Sequence, residues 1–274
     1  MKVTFFGTAA AEGFPGLFCN CKYCQKAREL GGKNIRGRSQ ALVGEDLIID
    51  MPPDTMTRFQ LHGVRGDKLT TLLFTHGHGD HYFPANLILR IPPYAHDMEV
   101  KVLDVLCPET VYNDLVKYVG EGREDLRIHK AVPYETVELN GYEITPMKAR
   151  HDFSRSAVIY TVAKDGKRML YAHDTGYFYD EVFEYINSNK LYFDFATFDC
   201  TNAHLPSSEK ESHMGFDNVE RVITRLREMG AVDERSILYV NHFSHNGNPL
   251  HEDMEKSAGR IGCEVSYDGC SVEF

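Results

Sequence analysis

The stretch Leu72-Leu73-Phe74-Thr75-His76-Gly77-His78-Gly79-Asp80-His81 decides how this chain is read. An apolar run of strand type leads into a polar turn where Gly77 and Gly79 free the backbone. Four ligand-type side chains then fall within six positions. On an extended backbone residues two apart face the same way, so His76 and His78 can share one cation. Asp80 and His81 follow where the chain is expected to turn into a helix, and they can face a second centre nearby. Imidazole and carboxylate together suit zinc, manganese or iron. A plain glycine-rich surface turn would explain two alternating histidines. Four donors at this spacing after an apolar strand make a metal site the stronger reading.

One cluster does not complete two coordination shells. Three further donors stand just after strand-like runs: His151 after residues 144–149, Asp174 after 169–173 and His242 after 237–241. Taken singly, each is more often an ordinary core or surface residue. Their shared position at strand ends favours a joint role, because open α/β sheets gather their sites there.

Other β-type runs cover residues 3–6, 41–43, 47–50, 136–139, 143–147, 157–162 and 168–172. Gly44-Glu45-Asp46, Asn140-Gly141 and Asp165-Gly166 read as hairpin turns between them. Helical patterns cover 55–61, 109–118, 180–187, 216–229 and 252–260. In the fourth, Val219, Val222, Ile223 and Leu226 repeat at helical spacing, and Gly230 supplies a stop. With no repeat, low-complexity tract or linker in view, one α/β layered domain over residues 1–274 is expected.

Three of the seven cysteines crowd into Phe18-Cys19-Asn20-Cys21-Lys22-Tyr23-Cys24. Thiolates this close repel one another unless a cation neutralises them, and Zn²⁺ is the usual one. Three reduced thiols packed in a loop are the plain alternative. A closed tetrahedral site wants a fourth donor. Within His242-Phe243-Ser244-His245, His245 is free once His242 serves the paired cations. Cys19, Cys21, Cys24 and His245 are therefore read as a structural Zn²⁺ site.

A formal net charge of −10 repels polyanions. It speaks against indiscriminate nucleic-acid or membrane-surface binding and leaves room for a local basic pocket holding one small phosphate. No run approaches the roughly 18 apolar residues of a membrane span, and no leader-type apolar region follows Met1. A cytoplasmic location without a membrane partner is the expectation.

The pattern His76-x-His78-x-Asp80-His81, then His151, Asp174 and His242 in order, resembles the five-part signature of the metallo-β-lactamase superfamily over nearly the whole chain. Ile48-Ile49-Asp50 is similar to its first motif, whose Asp orients the metal loop. The resemblance implies an αββα sandwich with the site along one edge of two packed sheets. It implies one divalent ion on His76, His78 and His151, another on Asp80, His81 and His242, and Asp174 bridging the two. Zn²⁺, Mn²⁺ and Fe²⁺ all accept such donors. The cysteine cluster resembles that of the PhnP family, the accessory phosphodiesterases of the carbon–phosphorus lyase pathway. That family has a His-x-x-His near its end and hydrolyses a ribosyl 1,2-cyclic phosphate. The PqqB family of pyrroloquinoline quinone biosynthesis has a comparable cluster. The family resemblance also implies a homodimer.

Two neighbouring cations lower the pKa of a shared water to roughly 7 and neutralise charge growing on a phosphoryl oxygen. Asp80 and His213 are the catalytic candidates. His213, in Ser212-His213-Met214-Gly215, matches a His that families of this type use as general acid. A solvent-exposed His at a helix start is the plain alternative. Arg150 and Ser154 beside His151, together with Lys148 and Arg155, are candidates for the substrate's phosphate, as is Asn246 beside His245. The stretch 152–157 departs from the glycine–aromatic pairing expected of the PhnP family. Segments 126–133 and 202–211 are expected to border the substrate pocket. The function expected is a dinuclear phosphodiesterase acting on a small cyclic phosphate. The alternatives are a ribonuclease Z-like nuclease, which would want a basic patch, a thioesterase, a lactonase, a PqqB-like protein or a non-catalytic carrier. A di-iron oxidoreductase would carry Glu where His78 stands.

Overall fold

Strand residues alternate between two apolar environments, and that alternation builds two stacked sheets. The computed structural model describes residues 1–120 and 122–274, with the backbone alone described at Phe153. The first sheet has the order β14-β1-β2-β3-β4-β5-β6. Its strands are β1 (Lys2–Gly7), β2 (Gln40–Val43), β3 (Leu47–Ile49), β4 (Thr71–Leu73), β5 (Leu103–Cys107), β6 (Leu126–Lys130) and β14 (Ser271–Glu273). The second has the order β13-β12-β11-β10-β9-β8-β7. It is made of β7 (Val137–Leu139), β8 (Tyr142–Lys148), β9 (Val158–Lys164), β10 (Lys167–Ala172), β11 (Phe195–Asp199), β12 (Ile237–Asn241) and β13 (Glu264–Val265).

Val3, Phe5, Leu47, Ile49, Leu73 and Leu106 of the first sheet pack against Tyr160, Val162, Met169, Tyr171 and Phe195 of the second. The residues between them face outward. Ile48, Leu72 and Val105 pack with Val111 and Leu115 of α4 (Glu109–Val119) and with Phe59 of α2 (Thr55–His62). Leu170, Phe198 and Val240 pack under α5 (Asp180–Ser188), α6 (Phe216–Glu228) and α7 (His251–Arg260). This is the αββα sandwich. The stripe Val219, Val222, Ile223 and Leu226 is the buried face of α6.

Parallel strands need crossovers, and helices supply them. β3, β4, β5 and β6 run parallel, as do β10, β11, β12 and β13. Their carboxyl ends therefore point to one edge of the sandwich, where sites form in sheets of this kind. Asn140-Gly141 and Asp165-Gly166 close antiparallel hairpins with both residues at positive φ, the geometry that matches strand twist.

Asp80 and His81 lie in a turn rather than in a helix, with His81 N and Tyr82 N both donating to His78 O. The following helix, α3 (Ala85–Ile88), begins only after Pro84. α1 (Lys22–Leu30) was not anticipated, because it buries only Cys24 and Ala27 and so shows no apolar stripe. β5 and β11 were also missed: every residue in them is buried, which removes the period-two signal. Among the described residues no helix is long and apolar enough to cross a membrane.

Phe195 is 0% exposed, with ring centroids 5.0 Å from Phe274 and 5.6 Å from Tyr239. Phe195→Ala is expected to lower stability by about 3–5 kcal/mol in chemical denaturation. Met56→Ala, at an exposed position, is expected to change it by under about 0.5 kcal/mol.

Candidate metal centre

Strand ends bring the donors together. Asp50 follows β3, His76 follows β4, His151 follows β8, Asp174 follows β10, Asp199 closes β11 and His242 follows β12. Asp50, Asp174 and His242 turn the chain there with φ of 62°, 51° and 67°. Left-handed backbone costs a non-glycine residue on the order of 1–3 kcal/mol, and such strain gathers at functional sites. Gly77 and Gly79 do not use their freedom in this way, since neither has a positive φ.

Two groups of donors form around Asp174. In the first, His78 Nδ1 lies 2.9 Å from His76 Nε2 and 3.1 Å from His151 Nε2. His151 Nε2 is 3.6 Å from Asp174 Oδ1. In the second, Asp174 Oδ2 lies 2.9 Å from His81 Nε2 and 2.8 Å from His242 Nε2. His81 Nε2 is in turn 3.3 Å from Asp80 Oδ2. Asp174 thus gives one oxygen to each group.

The far nitrogen of each imidazole fixes its tautomer. His81 Nδ1 donates to Asp50 Oδ2 at 2.7 Å. Thr75 Oγ1 spends its own proton on Asp50, so it accepts from His76 Nδ1 at 3.0 Å. His242 Nδ1 faces Thr201 Oγ1 at 2.7 Å, His151 Nδ1 faces the Ser212 carbonyl at 3.4 Å and His78 Nε2 faces Asp152 Oδ2 at 3.3 Å. Each neutral ring then turns its lone pair toward the centre, the arrangement that metal-binding histidines use.

Acceptors packed on acceptors repel, and the structure shows this directly. Asp174 Oδ2 is buried without a hydrogen bond although two ring nitrogens stand beside it. Asp50, Asp80, Asp174 and Asp199 pair only with histidines among the described residues, never with Lys or Arg. Donors at about 2.0–2.2 Å from one cation lie roughly 2.9–3.5 Å apart in octahedral or tetrahedral geometry. The donor set therefore fits divalent cations. Electrostatics of the bare cluster agree. Burial drives His76 well below the ordinary histidine range. Burial also works against a charged His81, but in the bare cluster Asp174 and Asp50 hold it well above that range, so a cation at Asp174 would take the place of the His81 Nε2 proton.

His213 stands beside this cluster, its ring centroid 4.8 Å from that of His151 and 5.8 Å from that of His242. Its Nδ1 donates to Asp199 Oδ2 at 3.0 Å. Although burial works against the charge, Asp199 raises the imidazole to about 9. Gly176 lets the segment carrying His213 pack this close, because a Cβ there would lie 1.9 Å from Glu211 O.

The thiols also converge. Cys19 Sγ and Cys21 Sγ lie 3.5 and 3.8 Å from His245 Nδ1, and donor atoms of Cys19, Cys21, Cys24 and His245 all fall within 4.8 Å of one another. Bonds of about 2.3 Å to sulfur and about 2.0 Å to nitrogen around a tetrahedral ion imply S···N separations of roughly 3.5 Å. Despite burial, the Cys24 N–H and the His245 ring bring Cys21 down to about 6. Burial, with the neighbouring thiols, pushes Cys24 up to about 12. One thiolate suppresses the next, a conflict that a bound cation relieves.

The phosphate candidates are already engaged. Arg150 Nε donates to Tyr177 O and its guanidinium lies 4.0 Å over the Tyr179 ring. Ser154 bonds Asp152 through both N and Oγ. Asn246 is exposed and bonds Ser244 Oγ. Residues 130–133 line a cavity of about 550 Å³ together with Lys148, Asp152 and Tyr179. Sequence reasoning missed Asp199 and Asp152. Asp199 ends β11, whose strand pattern was itself hidden by burial on both faces. Nothing local marked Asp152.

A family model described as "Beta-lactamase superfamily domain" matches residues 46–243. Coenzyme PQQ synthesis protein B of Acinetobacter baumannii (strain ACICU) is 23% identical over 326 residues, covering 100% of both chains. Zn²⁺-bound PqqB from Methylobacterium extorquens superposes with a TM-score of 0.76 at 17% identity, covering 100% of both. A diphosphatase from the PhnP family superposes at 0.75 and 21% identity, covering 100% of this chain and 98% of that one.

The thiol geometry predicts one zinc that survives mild chelation. Cys21→Ser should release it into a chromogenic chelator. Three rapidly titrating thiols at Cys19, Cys21 and Cys24 in native wild-type protein would contradict the site.

Proposed function

We propose that this chain, which belongs to the beta-lactamase superfamily, is a phosphoric diester hydrolase acting on a small cyclic phosphate such as a ribosyl 1,2-cyclic phosphate. At the coarser level it is a metal-dependent hydrolase of the metallo-β-lactamase fold. The observation that carries the finer reading is a proton donor, His213 on Asp199, set beside a donor cluster fit for two cations.

His76, His78 and His151 would hold one cation, Asp80, His81 and His242 the other, with Asp174 between them. Such a pair supplies a nucleophilic water near neutral pH and offsets charge on the phosphoryl oxygens. The protein's own groups do the rest. Asp80 is 14% exposed, against 5% for Asp174 and 0% for Asp50. It is the carboxylate open to the attacking water and accepts its hydrogen bond. The water gives up one proton to solvent on activation, and as its oxygen bonds to phosphorus the bond to the leaving oxygen breaks. His213, charged and held through Nδ1, gives that oxygen a proton from Nε2. Asp199 keeps the ring oriented and stabilises its charge.

The full-length likeness to coenzyme PQQ synthesis protein B favours a second reading, a protein of cofactor synthesis. A panel separates the two: bis-p-nitrophenyl phosphate, cyclic nucleotides, a ribosyl cyclic phosphate, a thioester and a β-lactam, each with added Mn²⁺ or Zn²⁺. Diester turnover lost in Asp80→Ala is expected, whereas cation binding without turnover of any substrate favours the second reading. Thioester turnover alone would make the chain a different hydrolase.

Leaving-group dependence tests the proton donor. His213→Ala should cost roughly 10²-fold or more on an alkyl diester, and much less on a p-nitrophenyl ester, whose leaving group needs no proton. Equal losses on both would remove His213 from that role.

A further inference from the structure

We propose that Arg155 is a positioning residue, which sets the spacing of the two loops carrying His76, His78 and His151 and, through Asp152, orients the His78 ring. The inference rests on those three histidines holding a cation.

Arg155 spans the two loops directly. Its Nη1 donates to Gly77 O at 2.9 Å, between His76 and His78 in the chain. Its Nε donates to Asp152 Oδ2 at 3.1 Å, next to His151. The same oxygen lies 3.3 Å from His78 Nε2. Asp152 cannot swing away, because its other oxygen takes Ser154 N at 2.9 Å and Ser154 Oγ at 2.6 Å. Nor is the Arg155 backbone loose, since its carbonyl accepts from Thr110 Oγ1 at 2.7 Å, at the start of α4.

Each contact has a consequence for the donors. With Asp152 accepting from Nε2, His78 presents the lone pair of Nδ1 to His76 and His151. With Gly77 O fixed, the backbone between His76 and His78 cannot rotate their rings apart. The guanidinium fork is what permits this, since it donates to two acceptors in a fixed geometry that an ammonium cannot copy. The Arg155 side chain is 46% exposed and that of Asp152 is 30% exposed. Pairs so exposed add little to folding, so their influence falls on geometry. The device lies in the segment 152–157 that departs from the expected family pattern.

The test uses full-length protein dialysed free of exchangeable metal and titrated with Mn²⁺ by calorimetry, alongside thermal unfolding of the metal-free form. Arg155→Ala should weaken one of two Mn²⁺ affinities by roughly 10–100-fold, the range for partners of ligating residues. The other affinity and the metal-free midpoint should stay unchanged. Arg155→Lys reaches only one acceptor and should restore part of the affinity, and Asp152→Ala should weaken the same Mn²⁺ step. Unchanged Mn²⁺ binding in Arg155→Ala would overturn the proposal. Equal weakening of both steps with a lowered midpoint would also overturn it, by making Arg155 a general support of the fold. No substrate enters this titration, so absence of diester turnover in wild type would sink the functional reading alone.

Discussion

Four carboxylates, from Asp50, Asp80, Asp174 and Asp199, gather at one edge of the sandwich with no lysine or arginine paired to them among the described residues. The inner nitrogens of His81 and His242, which face Asp80 and Asp174, present lone pairs when each neutral ring spends its proton on an outer acceptor, Asp50 for His81 and Thr201 for His242. Burying negative charge and electron pairs together is costly unless positive charge lies among them. A divalent cation would answer that demand at the unpartnered oxygen of Asp174.

The two sheets meet this demand jointly. Neither holds the cluster alone: Asp50 and His76 arrive from the first, and His151, Asp174, Asp199 and His242 from the second. The interior core between the sheets therefore fixes their separation and, with it, the distances within each donor group, since each group draws from both sheets. A close-packed core transmits small displacements. The large aromatic side chains Phe5, Tyr160, Tyr171 and Phe195 between the sheets act on the site at a distance, through the spacing they impose.

A second link runs through Phe243, which separates His242 from the Ser244-His245 pair. Its N donates to Thr8 O and its carbonyl accepts from Ala10 N, each at 3.0 Å. The buried Arg36 stacks 4.6 Å over its ring and reaches Thr8 Oγ1 and Ser266 O. The amino-terminal loop that carries the thiols is thereby clamped to the loop that carries His242. The loop that carries the thiols thus packs directly against the loop that carries His242.

The seven side chains that converge around Asp174 were legible in the chain because ligand chemistry restricts residue type and because strand geometry fixes which neighbours share a face. The turn pairs Asn140-Gly141 and Asp165-Gly166, and the stripe on α6, were equally plain, since each depends on a local backbone preference. Partners of the donors were not. Asp199, Asp152 and Thr201 bond rings that are 14 to 74 positions away in the chain, and no local pattern encodes a contact of that kind. β5 and β11 were hidden for a related reason: buried on both faces, they lose the alternation that betrays a strand. Local chemistry thus settled which atoms can bind a cation. Long-range packing of two sheets decided how far apart they stand, which nitrogen of each ring faces inward and which carboxylate holds His213.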